Sequence, residues 1–161
     1  MSPLAASRVV GVTSAVPDEP NLVGEEWLAT LHEVPLFEGL SKRHLRRVAR
    51  LARLRRFASG SAIVRAGESG SSFFVVLDGT ARVVSAGGRA ARLGVGDYFG
   101  EMALLDGAPR SADVVADGEV LVLMIGRSSF GKLVRKEPAL TQALLRTLAA
   151  RLRAAERSRL D

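Results

Sequence analysis

A mainly β fold with flanking helices is the class that the sequence predicts. Short runs rich in Val, Ile and Phe recur through residues 61–125, roughly 8 to 15 residues apart, and glycine-containing turn signals separate them. On both sides of this region, apolar residues recur at the spacing of an amphipathic helix. About six to eight short antiparallel strands are therefore expected, in a sandwich or a jelly-roll barrel. A chain of 161 residues is long enough for one compact core.

The residues before the strands predict an arm and two helices. Residues 1–22 are rich in Ser, Pro, Ala and Val without a sustained period, and they are interpreted as a flexible N-terminal arm. A short helix is predicted over residues 25–33, and Ser41 can cap a second helix that continues to Arg56. The buried face of this second helix, in i, i+3, i+4, i+7 spacing, comprises Leu45, Val48, Ala49 and Ala52.

The strand region divides into six predicted runs, AIVRA, SFFVVL, ARVVSA, ARLGV, SADVVA and EVLVLMI. Glycines are expected at the corners between them, where the chain needs a positive φ or a close backbone approach. The corner glycines are Gly67, Gly79, Gly94, Gly96 and Gly100.

Two further helices are predicted over residues 128–158. Ser128 can cap the first, which ends at Lys136, and Pro138 suits the first turn of the second. The apolar stripe of the second helix is formed by Leu140, Leu144, Leu145, Leu148 and Leu152. A single domain is therefore expected over residues 23–161.

The composition limits the classes of ligand and of activity that the chain can have. Lys and Arg total 23 and Asp and Glu total 17, and the net charge of +6 favours an anionic ligand or partner. The chain has no cysteine, and neither of its two histidines, His32 and His44, lies in the strand region. An enzyme is therefore the least supported class, and neither a metal nor a cofactor is expected. No apolar run is long enough for a membrane span or a signal peptide, so the predicted location is cytoplasmic.

The segment FGEMALLDGAPRSA, residues 99–112, places charge among small and apolar residues. Gly100 lets a ligand come close, and the residues after it have the composition of a helical turn, whose first N–H groups can bind an anion. The guanidinium of Arg110 matches a phosphate in two-point geometry. An ionised Glu101 can only accept hydrogen bonds, so it suits a ligand with a hydroxyl near its phosphate. A phosphate fused to a ribose meets both demands.

FGEMAL followed by PRSA, with IVRAGESGSSFFVVLDGTARV and LFEGLS upstream, resembles the cyclic nucleotide-binding domain family. This family is the module shared by catabolite-activator-type regulators, cyclic-nucleotide-dependent kinases and gated channels. The resemblance covers roughly residues 35–155. It implies a jelly-roll barrel, a phosphate-binding cassette at residues 99–112, and a C-terminal helix that covers the base and moves when ligand binds.

The resemblance also implies the residues that bind. Glu101 would accept from the ribose 2′-hydroxyl, and Arg110 would hold the oxygens of the cyclic phosphate. The other implied contacts are Phe99, Gly100, Met102, Ala103, Leu104, Ser111 and Ala112. The candidate lid residues are Leu148, Arg151 and Leu152. The ligand is expected to be cAMP rather than cGMP, because the compact, arginine-rich chain resembles bacterial proteins.

Two features depart from the family pattern. Asp113 stands where Thr or Ser is common, and by strand alternation it would share a face with Ser111. A carboxylate on the pocket face would repel a phosphate. No helix-turn-helix, kinase or channel segment follows the last predicted helix, so a stand-alone module that acts on an unidentified effector protein is expected.

Other interpretations remain beside these. Glu101 and Arg110 could form a structural ion pair in a degenerate barrel that serves as an interaction scaffold. The arginine run of residues 42–56 could bind nucleic acid or a membrane surface, but without interleaved aromatic residues a solvated face is favoured. A coiled-coil seam along the last helix, at Leu145, Leu148, Leu152 and Ala155, could form a homodimer or contact the barrel. Trp27 is expected to anchor the arm.

Overall fold

The computed structural model describes residues 21–85, 87–88 and 90–160. These residues form seven strands, β1 (Asn21–Leu22), β2 (Ala52–Phe57), β3 (Ala62–Val64), β4 (Ser72–Ser85), β5 (Ala90–Leu93), β6 (Tyr98–Phe99) and β7 (Ala112–Gly126). They also form the helices α1 (Leu28–Glu33), α2 (Lys42–Leu51), α3 (Glu101–Asp106), α4 (Arg127–Lys136) and α5 (Pro138–Leu160). The predicted arm lies outside the described residues except for its last two, which form β1.

Every strand pairing in the sheet is antiparallel. The strands follow the order β1-β2-β7-β4-β5, with β3 paired to β7 and β6 paired to β4. Across the described strands this hydrogen-bonded path stays open between β1 and β5. The sheet curls around an apolar interior and carries helices on its outer face, so the predicted mainly β jelly roll with flanking helices is confirmed.

Two strands are much longer than predicted. SFFVVL and the first five residues of ARVVSA lie in the single strand β4, and EVLVLMI and all of SADVVA except Ser111 lie in β7. Gly79 interrupts the ladder rather than the strand: the β4–β7 register shifts on both sides of Asp78, and Gly79 has a φ of +86°. A Cβ at Gly79 would lie 2.3 Å from the carbonyl oxygen of Glu119, so only glycine fits this bend.

The predicted second helix is too long. It ends at Leu51 instead of Arg56, and Ala52–Phe57 pair with β7 from Ile125 to Val120. Ala52 fits both the helical and the strand period, and arginine is a good helix former, which explains the error. Its start was predicted correctly, because His44 N donates to Ser41 Oγ at 3.3 Å.

The core has two clusters, one on each face of the sheet. In β4, Phe73, Val75 and Leu77 face the helices, whereas Phe74 and Val76 face the interior of the roll. The helix-side cluster is completed by residues of β6, β7 and the helices, among them Trp27, Leu31, Phe37, Leu45, Tyr98, Leu123, Leu133, Leu140 and Leu144. The period-2 alternation of β4 therefore serves both clusters.

The C-terminal helices differ from the prediction in two respects. Gly126 precedes α4 and no side chain caps it, so the predicted Ser128 cap is wrong. In α5, which begins at Pro138 as predicted, Leu144 is buried but Leu145 and Leu152 are about 60% exposed. The predicted stripe therefore packs only partly on the body. No described helix is both long and apolar enough to cross a membrane.

Candidate functional site

A cavity of about 370 Å³ opens in the roll between α5 and the cassette, residues 99–112, which includes α3. All predicted contact residues except Leu104 line it; Leu104 packs partly buried against the helix-side core instead. The strands contribute an apolar wall, and the cavity is lined by Val64, Val83, Ala91, Leu93, Tyr98, Phe99, Gly100, Glu101, Met102, Ala103, Asp106, Ala108, Pro109, Arg110, Ser111, Ala112, Val114 and Arg151.

Arg110 is buried, and main-chain carbonyl groups hold its guanidinium. Nη1 donates to Gly100 O at 2.9 Å and Nη2 donates to Ser72 O at 2.6 Å. Burial lowers the pKa of Arg110 from its usual value, and the nearby carboxylate of Glu101 opposes this shift. An arginine remains charged nonetheless. Its two hydrogen bonds go to neutral carbonyls, so Arg110 keeps its positive charge and further N–H donors beyond these two.

Two glycines make room for this arrangement. Gly100 has a φ of +94°, and a Cβ there would lie 2.8 Å from Arg110 Nη1. At Gly70 a Cβ would lie 2.6 Å from the Cβ of Ala103 and 3.4 Å from Arg110 Cζ. Gly100 was among the predicted corner glycines, whereas Gly70 was not. Gly70 is the last residue of the GESG turn at residues 67–70, and this turn was the available signal for a close approach.

Glu101 is the first residue of α3, and its side chain is 1% exposed. Oε1 pairs with Arg151 Nη1, while Oε2 is buried without a hydrogen-bond donor among the described residues. The alternative of a direct Glu101–Arg110 ion pair is wrong, because each side chain has another partner. The residues that line the cavity thus include a guanidinium and a carboxylate, and Glu101 Oε2 has no hydrogen-bond donor among the described residues.

Arg151 brings α5 to the cavity. Its guanidinium lies over the ring of Tyr98, with Cζ 5.5 Å from the ring centroid, and it pairs with Glu101. Of the three lid candidates, Arg151 lines the cavity, whereas Leu148 and Leu152 do not. Sequence reasoning missed Tyr98, which forms the wall beneath Arg151.

The hydroxyl of Tyr98 is buried in this wall. Burial raises the pKa of Tyr98, and the neighbouring Thr147 side chain and the charge of Arg151 oppose the shift only in part. Within the described part of the chain, no donor or acceptor makes a well-formed hydrogen bond to Oη. Thr147 donates its own proton to Ala143 O at 3.1 Å.

Asp113 does not face the cavity. Its Oδ1 accepts a hydrogen bond from Ala66 N at 2.7 Å, whereas its neighbours Ala112 and Val114 line the cavity. The predicted shared face with Ser111 is wrong, because β7 begins only at Ala112 and strand alternation does not extend back to Ser111. Asp113 therefore does not lie on the pocket face, which was the premise of the predicted repulsion.

The arginine run of residues 42–56 is divided between α2 and β2, and acids pair several of its members. Arg46 Nε lies 3.2 Å from Glu25, Arg47 Nη1 lies 3.1 Å from Glu137, and Arg56 Nη1 lies 2.7 Å from Glu119. These contacts reduce the charge that the run offers to a polyanion.

Known proteins share this fold. A family profile described as Cyclic nucleotide-binding domain matches residues 54–137, more than half of the chain. The cAMP-dependent protein kinase regulatory subunit of Mycosarcoma maydis is 38% identical over 113 residues, which are 65% of this chain and 22% of that protein.

Two solved structures extend the comparison. The regulatory domain of Toxoplasma gondii PKA, co-crystallised with cAMP, has a TM-score of 0.68 and 31% identity, and the match covers 78% of this chain and 49% of that one. The catabolite activator protein of Thermus thermophilus has a TM-score of 0.70 and 33% identity. The match covers 77% of this chain and 61% of that one.

The chain therefore belongs to the cyclic nucleotide-binding domain family. The Mycosarcoma maydis relative is a kinase regulatory subunit, and the Toxoplasma gondii regulatory domain was crystallised with cAMP. The chain spans less than two thirds of each of the three proteins compared.

Proposed function

We propose that this chain binds cAMP in the cavity in preference to cGMP, and that binding changes the position of α5. The observation that carries the proposal is the pairing, in one cavity, of a buried guanidinium with unused donors and a buried carboxylate oxygen without a donor. A cyclic phosphate would accept from Arg110, and the ribose 2′-hydroxyl would donate to Glu101 Oε2. Each buried group would then gain the partner that it lacks.

The base would lie along the apolar wall of Val64, Val83 and Leu93, with Ser111 and Ala112 beside the phosphate. An apolar wall favours adenine, because guanine has more polar groups to strip of water. The cAMP-dependent kinase subunit of Mycosarcoma maydis and the cAMP complex of the Toxoplasma protein support the same choice.

The lid would be Arg151. It is held by Glu101 and Tyr98 at the mouth of the cavity, so a ligand between these groups would contact α5 directly. Ligand can move the helix only if it binds one position of α5 more tightly than the other. We propose that this difference arises at Arg151, and that the output is altered contact with an effector protein.

Further parts of the proposal concern assembly and chemistry. The exposed side chains of Leu145 and Leu152 leave an apolar stripe on α5 that could pair two copies of the chain, which sedimentation of the purified protein would test. The module would act by binding alone, without catalysis, metal or cofactor. A cytoplasmic location and a bacterial source stay predictions from composition.

Isothermal titration calorimetry with cAMP, cGMP and 5′-AMP tests the proposal, using folded protein free of co-purified nucleotide. Saturable binding of cAMP, with cGMP and 5′-AMP weaker, is the expected result. Absence of heat with every nucleotide at high micromolar concentration would favour the alternative of a scaffold that binds no nucleotide. Equal affinity for cAMP and cGMP would overturn only the preference for adenine.

A further inference from the structure

The loop of residues 65–71, between β3 and β4, holds the main chain of Arg110. Gly67 N donates to Arg110 O at 2.9 Å, and Arg110 N donates to Glu68 O at 2.8 Å. The guanidinium of the same residue donates to Ser72 O, directly after the loop. The loop and its end therefore fix both the main chain and the side chain of Arg110.

Charged side chains hold this loop at both ends. At its beginning, Asp113 Oδ1 accepts from Ala66 N at 2.7 Å. At its end, Arg127 Nη2 donates to Gly70 O, and Arg127 N donates to Ser71 O at 3.0 Å. The Asp113 contact is exposed, and it attaches the beginning of the loop to β7, 47 residues further along the chain.

We propose that Asp113 is a positioning residue for the anion site: its carboxylate holds the 65–71 loop in the conformation that aims Arg110 into the cavity. The inference rests on the proposed function. Asp113 does not line the cavity, so it would act through Arg110 and not by touching the ligand. Binding groups must be held to within about 0.5 Å of their productive geometry, and a loop released at one end would no longer do so.

The same carboxylate also repels an anion, so its two effects have opposite signs. The repulsion acts across the strand, since Asp113 does not line the cavity, and salt weakens it. The hydrogen bond to Ala66 acts at 2.7 Å and is not weakened in this way. We therefore expect positioning to outweigh repulsion.

Calorimetric titration with cAMP at about 0.15 M salt separates the two effects. Asp113→Ala removes the acceptor and should weaken binding about tenfold, the effect of losing one charge-assisted hydrogen bond. Asp113→Asn keeps an oxygen acceptor and should stay within about threefold of the unaltered protein. The control Asp117→Ala removes an acid from the same strand, one that pairs with Arg92 at 3.0 Å and does not line the cavity, and it should change little.

Two outcomes would overturn the inference. Unchanged or tighter binding by Asp113→Ala would show that repulsion dominates, and equal weakening by Asp113→Ala and Asp113→Asn would show that the acceptor is not what matters. If Asp113→Ala does not fold, Asp113→Ser takes its place, because its hydroxyl is one bond too short to reach the same position.

A measurement without ligand distinguishes failure of this inference from failure of the proposed function. Amide hydrogen exchange of Gly67 and Arg110, whose bonds join the loop to the cassette, should accelerate about tenfold in Asp113→Ala and remain unchanged in Asp113→Asn. If the unaltered protein binds no cyclic nucleotide, the proposed function fails, and this exchange result alone decides whether Asp113 positions Arg110. Unchanged exchange in Asp113→Ala would overturn the positioning role.

Discussion

Arg151 of α5 and Glu101 of α3 form an ion pair at the mouth of the cavity. The Glu101 side chain is 1% exposed and that of Arg151 is 45% exposed, so the pair lies at the boundary between the cavity and solvent. An uncompensated charge at the site of Glu101 would be costly, and Arg151 therefore stabilises the carboxylate that the proposed ribose contact needs. The ion pair therefore joins the last helix directly to the cassette.

Arg110→Ala is expected to weaken cAMP binding by about 2–5 kcal/mol, because a desolvated phosphate would lose its charged partner. Arg110→Lys should recover only part of this loss, since an ammonium group cannot reproduce two-point contact with a phosphate. Calorimetric titration of both variants measures the effect. A loss of less than about tenfold in Arg110→Ala would contradict the assignment.

Glu101→Gln should make the protein less sensitive to the ribose hydroxyl, because a neutral amide oxygen replaces a charged acceptor. The unaltered protein is expected to bind cAMP about tenfold more tightly than 2′-deoxy-cAMP, the effect of one hydrogen bond to a charged acceptor. In Glu101→Gln this ratio, measured by calorimetric titration, should fall to about threefold. An unchanged ratio in Glu101→Gln would show that another group receives the hydroxyl.

Arg151→Ala is expected to increase the dissociation rate of cAMP about fivefold to tenfold, because it removes a charged contact from the lid and leaves Glu101 without a cation. Arg153→Ala is the matched control, since Arg153 is an exposed arginine on the same helix. Stopped-flow displacement of a fluorescent cAMP analogue measures both rates. Equal effects of the two variants would point to overall charge and not to the lid.

Gly100→Ala should destabilise the fold by about 1–3 kcal/mol, since alanine is strained at a φ of +94° and its Cβ would meet Arg110 Nη1. Gly94→Ala serves as the control, because no atom lies within 4 Å of a Cβ there and its φ is not positive. Urea unfolding gives the two free energies. Similar stability of both variants would contradict the close packing of Gly100 on Arg110.

The raised pKa of Tyr98 predicts a loss of stability in alkali. A phenol whose pKa is higher in the folded state than its ordinary value of 10.0 stabilises the fold below that pH, and the contribution is lost as the pH rises through the folded pKa. Relative to Tyr98→Phe, the unaltered protein should lose at most about 1.4 kcal/mol per pH unit in this window.

Thermal unfolding of both proteins between pH 8 and roughly pH 11 measures the difference and cancels the titration of other groups. Near neutral pH Tyr98→Phe should be at least as stable as the unaltered protein, because it removes a buried hydroxyl that makes no well-formed hydrogen bond with the described residues. A stability difference that does not change with pH would contradict burial of the hydroxyl.

The cassette residues lie together at one cavity, as the sequence predicts, because they are close in the chain. Gly100, Glu101 and Arg110 lie within one short segment, and the conformation of that segment follows from a glycine, a helical turn and a strand start. The side on which Asp113 lies was predicted wrongly, and the cause is also local. Strand alternation holds only inside a strand, and β7 begins one residue after Ser111.

Other features depend on contacts between distant parts of the chain, which a pattern of residues does not contain. The helical propensity of the ARLRRF run is overridden by pairing with β7, so β2 was assigned to a helix. Arg151 was one of three lid candidates because the rotation of α5 is set by the burial of Leu140 and Leu144 against the sheet. Gly70 is needed only because Ala103 and Arg110 pack onto it.

The chain contains one tryptophan, and its position makes it an internal optical probe. Trp27 is 1% exposed and belongs to the same cluster as Tyr98, Leu140 and Leu144, on the face of the sheet opposite the interior of the roll. A nucleotide in the cavity would not touch its indole ring. A change in Trp27 emission on addition of nucleotide would therefore report repacking of the helical layer, and its time course would follow that motion without any added label.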